Sequence, residues 1–268
     1  MREATMERDL VLRADAGAVA TLTLNDPGRL NALSEAMLGA LRATLDAIAG
    51  ETAVRVVVIR GAGRAFCAGH DLREMTEARQ APDGGRARFA SLFGQAAALM
   101  LAITRLPQPV VAQVHGIATA AGCQLVASCD LAVAAEGTRF GVNGVNIGLF
   151  CSTPMVALTR NIPLKHAFHM LSTGEFVEAA EARRLGLVNR VVAAQDLEAE
   201  TAALAATLAA KLGPVLRLGK RTFYEQAEMG LEAAYAHAGR VMTENMLRPD
   251  TAEGIAAFLG KRAPEWEQ

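Results

Sequence analysis

The strongest constraint on this chain is the run Val54–Ile59, rich in β-branched residues, which feeds directly into the Gly-rich segment Arg64-Ala-Phe-Cys-Ala-Gly-His-Asp-Leu72. An apolar run of that length bounded by glycines predicts a buried strand. The loop after it ends on an acid where a helix can begin. Such an arrangement aims backbone N–H groups at developing negative charge, so the segment reads as chemistry rather than packing. A rival reading of Gly61-Ala-Gly63 is the dinucleotide fingerprint GxGxxG. Its third glycine is absent, Phe66 standing there, and residues 64–69 do not read as a helix start.

A chain of 268 residues with 51% hydrophobic content can bury a full core, as one larger domain or one domain with an appendage. Its net charge of -1 supplies no basic field of the kind that gathers nucleic acid or an anionic membrane surface. Any phosphate must be met by local groups. Cys67, Cys123, Cys129 and Cys151 lie in apolar or small-residue contexts without a CxxC pair, which argues against disulfides and a metal site. The amino terminus Met1–Leu10 carries Arg2, Glu3, Glu7, Arg8 and Asp9, unlike a signal or transit peptide. No stretch comes near the roughly 18 apolar residues of a membrane span. These features together predict reduced thiols in a soluble, cytoplasmic protein.

Short β-type runs at Leu10–Arg13 and Val19–Leu24 precede the turn Asn25-Asp-Pro-Gly28. Ser34 then caps a predicted helix whose Leu38, Leu41, Leu45 and Ile48 recur at helical spacing as far as Gly50. Further along come a long helical pattern to Arg105, a strand at Val110–Val114, a small-residue helix from about Ala120 and a strand at Leu131–Ala134. Strand, strand, helix in repetition differs from a simple doubly wound sheet. After Thr153 helices follow: one to Asn161, one over Leu164–Ser172, one around Ala179–Leu185 stopped by Gly186, and nearly all of Asp196–Leu259. Asp250, three residues before Glu253, is the expected N-cap of the last. The division expected is 1–195 for a strand-rich core and 196–268 for a helical region.

The stretch Phe66-Cys-Ala-Gly-His-Asp-Leu72 resembles the oxyanion-hole signature of the crotonase superfamily, the enoyl-CoA hydratases and isomerases. His115-Gly-Ile-Ala-Thr-Ala-Ala-Gly-Cys-Gln124 is similar to that family's second signature, and Glu253–Trp266 to its usual terminus. The resemblance spans nearly the whole chain. It implies an α/β crotonase (ClpP-like) spiral of ββα units with a C-terminal helical region, assembled as a homotrimer or a dimer of trimers. It further implies an acyl-CoA lyase or isomerase with no cofactor beyond the CoA thioester substrate. The oxyanion donors would be the backbone N–H groups of His70 and Ala121. CoA would be held by Arg29 and Leu30, by the loop residues Arg64, Ala65, Phe66, Ala68, His70, Asp71 and Leu72, and by Lys261 from a neighbouring subunit. The helical region 196–268 would close the pocket and carry the subunit contacts.

Two positions depart from that pattern. Where the family's hydratases carry glutamates, this chain has Gln124 and Gly144. Neither can take a proton, and positioned general acid–base groups contribute about 10² to 10⁴ each. What remains on the expected reaction face is Gln124, Asn143, Asn146 and Cys151, rich in hydrogen-bonding groups and short of a base. Gly144-Val-Asn-Ile-Gly-Leu-Phe-Cys-Ser-Thr-Pro154 resembles one branch of the superfamily, the enoyl-CoA hydratase domain-containing protein 3 group. His70 titrates near neutral pH, yet its first role is expected to be its amide. Asp71 is expected to cap the next helix, His115 to make a structural hydrogen bond, and Cys151 to behave as a small hydrophobe. Two functions follow: an acyl-CoA enzyme that is not an efficient 2-enoyl hydratase, or a silent acyl-CoA binder or assembly partner.

Overall fold

The structure, a computed structural model, describes residues 9–266. Its strands are β1 (Val11–Ala16), β2 (Val19–Leu24), β3 (Val56–Gly61), β4 (Val110–Val114), β5 (Ile117–Thr119), β6 (Leu131–Ala135), β7 (Arg139–Gly141), β8 (Val177–Glu178) and β9 (Arg190–Val192). The helices are α1 (Glu35–Ala49), α2 (Leu72–Ala78), α3 (Arg86–Arg105), α4 (Ala121–Ser128), α5 (Ser152–Leu158) and α6 (Leu164–Thr173). After them come α7 (Ala179–Leu185), α8 (Leu197–Ala209), α9 (Gly213–Ala227), α10 (Leu231–Met246) and α11 (Pro249–Leu259).

A six-stranded sheet runs in the order β1-β2-β3-β4-β6-β9, and a three-stranded sheet in the order β5-β7-β8. Only the β1–β2 pair of the larger sheet is antiparallel. The parallel strands are covered on both faces, so their sequences read as continuous apolar runs. Val57 and Ile59 enter the main core with Leu41 of α1 and Leu99 of α3. Val56 and Val58 turn to the other face, where Leu197 and Ala205 of α8 close a smaller core. The strand-rich part thus takes one of its covering layers from the helical segment that follows it. Chain order β4-β5-α4 and β6-β7-α5 gives the repeating ββα unit of the crotonase spiral.

Ser34 caps α1 by accepting from Met37 N–H at 3.1 Å, and Gly186 ends α7 in the left-handed region, both as expected. The cap assigned to Asp250 is not there. Pro249 takes the first helical position, where its fixed φ fits, and Arg248 becomes the N-cap. Glu253 pairs instead with Arg262 at 2.6 Å. A second correction concerns α3, which is long and apolar enough by composition to cross a bilayer. Its Leu92, Ala96, Leu99 and Ile103 are buried in the main core, which accounts for the apolar stripe. Most of the amino-terminal charge pattern, residues 1–8, lies outside the described residues.

Candidate functional site

After β3 the chain does not enter a helix. It makes a parallel bridge from Cys67 to Ala118 and another from His70 to Leu33 before α2 begins. This loop geometry is incompatible with the dinucleotide alternative, which needs a helix directly after the glycines. Asp71 caps α2 by accepting from Arg73 N–H at 2.8 Å, as anticipated.

Gly69 fixes the approach of the two signatures. Its φ of +87° is in the region that favours glycine, and a Cβ there would lie 2.9 Å from Ala120 Cβ and 3.3 Å from Ala121 N. Residue 69 therefore sits against the first turn of α4. Ala120 carries a φ of +49°, strained for a residue with a side chain, and its N–H donates to Gly141 O at 2.9 Å. Among the described residues, the N–H groups of His70 and Ala121 donate to no backbone acceptor. Ala121 is the first residue of α4, so its free amide also stands at the positive end of that helix.

The His70 ring is held from two sides. Nδ1 lies 3.3 Å from Leu33 O, and a carbonyl only accepts, so Nδ1 carries the proton. Phe93 meets the ring edge-on at 5.6 Å between centroids. Nε2 is buried with no partner, and burial lowers the pKa below the usual histidine value, keeping the ring neutral. His115 donates from Nε2 to Gly63 O at 2.8 Å, the structural bond expected of it.

Gln124 is 5% exposed on α4, and its Oε1 is buried without a partner. Gly144 is buried within a tight turn over Asn143–Ile147. A Cβ there would meet Leu149 O and, at 2.8 Å, Cys151 Sγ. Asn143 accepts from Thr119 Oγ1 at 2.6 Å, which ties the turn to the strand entering α4. Asn146 is exposed and donates to Gly174 O at 3.5 Å. The Asn143 carbonyl is thus committed to a protein partner, while Asn146 has only this long contact. Burial raises the thiol pKa of Cys151, which suits a small apolar side chain better than a nucleophile.

The residues assigned to CoA fall into three groups. Arg29 donates to Asp71 Oδ2 at 2.9 Å, so the guanidinium is half-exposed and already paired across the loop. Ala65 and Phe66 are buried behind the loop, whereas Arg64 and Leu72 are exposed and Leu30 and Ala68 half-buried. Lys261 is exposed beyond α11. Asn31 was not anticipated. It is fully buried with a φ of +54°, and its Nδ2 reaches Ala62 O, Ala65 O and Phe66 O at 2.8, 2.8 and 3.2 Å. One side chain therefore staples the signature loop from behind. The available signal was an asparagine, a residue that tolerates left-handed backbone, just after a turn cluster.

The profile of the Enoyl-CoA hydratase/isomerase family matches residues 14–268. The chain belongs to this family. Enoyl-CoA hydratase domain-containing protein 3, mitochondrial, of Mus musculus is 45% identical over 92% of this chain and 81% of its own length. The Homo sapiens protein of that name is 44% identical over 92% and 80%. Among solved structures, an enoyl-CoA hydratase of Mycobacterium smegmatis superimposes with a TM-score of 0.93 at 53% identity, covering 97% of this chain and 100% of that one. Human enoyl Coenzyme A hydratase domain-containing protein 3 gives 0.91 at 41%, covering 96% and 100%. The crotonase fold and the domain-containing protein 3 branch both stand on these findings. The cytoplasmic expectation does not: the vertebrate relatives are named mitochondrial, and four buried free cysteines fit any reducing compartment, so they never separated the two.

Proposed function

We propose that this enoyl-CoA hydratase/isomerase family protein acts on an acyl-CoA thioester, polarising its carbonyl with the N–H groups of His70 and Ala121. The observation carrying this reading is the pair of unclaimed amides held together by the close approach of Gly69 to Ala121. One such donor is worth about 10² to 10³ in rate, because it is fixed before charge develops on the oxygen. With Gln124 and Gly144 in place of carboxylates, efficient 2-enoyl hydration is not the reaction; an isomerase or lyase step through a thioester enolate is. Helices of the 196–268 segment supply pocket closure and the contacts of a trimer or paired trimers. Their large exposed apolar side chains, among them Leu231, Tyr235 and Met242 on α10, support this assignment.

A second reading, a silent acyl-CoA binder, is favoured by one observation: no carboxylate is placed on α4 or in the 143–147 turn. Turnover against enoyl-, dienoyl-, malonyl- and hydroxyacyl-CoA esters, measured beside a binding titration, tests both. Turnover of any ester supports the enzyme. Tight binding without turnover selects the binder, and stabilisation by NAD but not by CoA thioesters would sink both readings.

A further inference from the structure

Gln124 lines a cavity of about 1290 Å³ that the catalytic reading leaves unused. The cavity follows α4 from Gln124, in its first turns, to Ser128 at its end and on to Asp130. The neighbouring helices run alongside: Asn161, just beyond α5, donates to Ala127 O at 2.8 Å, and Lys220 of α9 donates to Ile103 O near the end of α3. The wall is apolar, with Met100, Leu101, Val156, Ala157 and Leu218. An acyl chain whose thioester rests on Ala121 N–H would enter past Gln124 and extend along this wall.

The charge in the lining is lopsided: five arginines stand against three carboxylates. Asp130 is already taken, accepting from Lys220 at 2.6 Å and Tyr224 at 2.8 Å. Glu228 lies 3.4 Å from Arg160 and Glu225 4.0 Å from Arg221. Arg105 and Arg217 have no carboxylate within 4.0 Å among the described residues; Arg217 donates only to Thr52 O. Arg105, at the end of α3, and Arg217, three residues before Lys220 on α9, whose Nζ reaches Ile103 O and Asp130, place this positive charge at the end of the cavity remote from Gln124.

Resting on the acyl-CoA reading, we infer that the preferred acyl group ends in a second acid, an ω-carboxyacyl thioester whose far carboxylate meets Arg105 and Arg217. A plain hydrocarbon tail would leave those guanidinium groups uncompensated and gain nothing from them. Paired with a planar guanidinium, a carboxylate forms a charge-assisted bond in the bidentate geometry that arginine favours. Because this end is partly open to solvent, the gain is modest.

The test compares octanoyl-CoA with octanedioyl-CoA in binding titrations on the full chain at low salt. Octanedioyl-CoA is expected to bind about five-fold tighter, the size of an exposed ion pair. The gap should shrink at high salt and close in Arg105→Gln/Arg217→Gln, with Arg105→Lys/Arg217→Lys keeping part of it. Circular dichroism and melting on both double variants separate lost preference from lost folding. Equal or tighter binding of octanoyl-CoA overturns the inference, as does a gap that persists in the glutamine variant. A glutamine variant that changes assembly size and leaves preference intact shows that the arginines face a second copy, and also overturns it. Binding of neither thioester would contradict the acyl-CoA reading itself.

Discussion

Gly144 and Cys151 are packed so closely that a Cβ on residue 144 would lie 2.8 Å from the Cys151 sulfur, and nearer still to Leu149 O. On the proposed reading, residue 144 is where a hydratase would need its second carboxylate, and the packing leaves no space for one. The first prediction follows: Gly144→Glu, alone or with Gln124→Glu, does not rebuild a hydratase. Overpacking a closed site of this kind costs about 1–3 kcal/mol. Urea denaturation should show that loss, and Gly144→Ala should already show part of it. A stable double variant with a strongly raised hydration rate would mean the 143–149 turn opens freely.

Crotonyl-CoA hydration by the unmodified protein should run at least about 10³-fold below that of a relative carrying both glutamates, from the usual size of acid–base contributions. Steady-state rates under matched conditions give the comparison. Full speed would show that another group organises the water, with His70 the first to examine.

His70 makes stability depend on pH. Burial holds its folded-state pKa below the unfolded value, so on acidification the unfolded chain takes the proton first. The ring's contribution is complete above about pH 6.5 and is lost as pH falls through the interval down to the lowered folded pKa. Urea midpoints should drop across that interval, and His70→Gln should remove this part of the drop. An unchanged profile in the variant would place the ring in solvent.

Lys220 donates to Asp130, Ile103 O and Gln108 O while only 7% of its side chain is exposed, so it anchors α9 to the end of the core. Lys220→Met leaves the Asp130 carboxylate with the Val110 N–H and the Tyr224 hydroxyl as donors but no compensating charge, and removing one member of a buried pair costs about 3–5 kcal/mol. Chemical denaturation measures it. A change within about 0.5 kcal/mol, the size of a surface substitution, would mean that water replaces the ammonium.

Much of this was legible in the chain. Strands Val19–Leu24 and Val110–Val114 read true because both are apolar runs between strong turn signals. Helix α1 was marked at both ends by Ser34 and Gly50. The short strands β5, β7, β8 and β9 were not legible: two or three residues carry no periodicity, and they exist because neighbouring strands supply their hydrogen bonds. Asp250 misled because its spacing to Glu253 imitates a capping box, while Pro249 decides where the helix starts. At the site, the residue types at 124 and 144 were plain to read. That residue 144 has no room, that Asn31 staples the loop and that Asn143 is bound by Thr119 are long-range packing facts that only the folded chain contains.

The central claim, two backbone amides of His70 and Ala121 on one thioester oxygen, is tested most directly at the carbonyl itself. Crotonyl-CoA labelled with ¹³C at the carbonyl carbon, bound to the protein, should show a downfield ¹³C resonance and a lowered C=O stretching frequency relative to the free ester. Both effects report polarisation by fixed donors. Tight binding with a carbonyl signal identical to that of the free thioester would contradict the account.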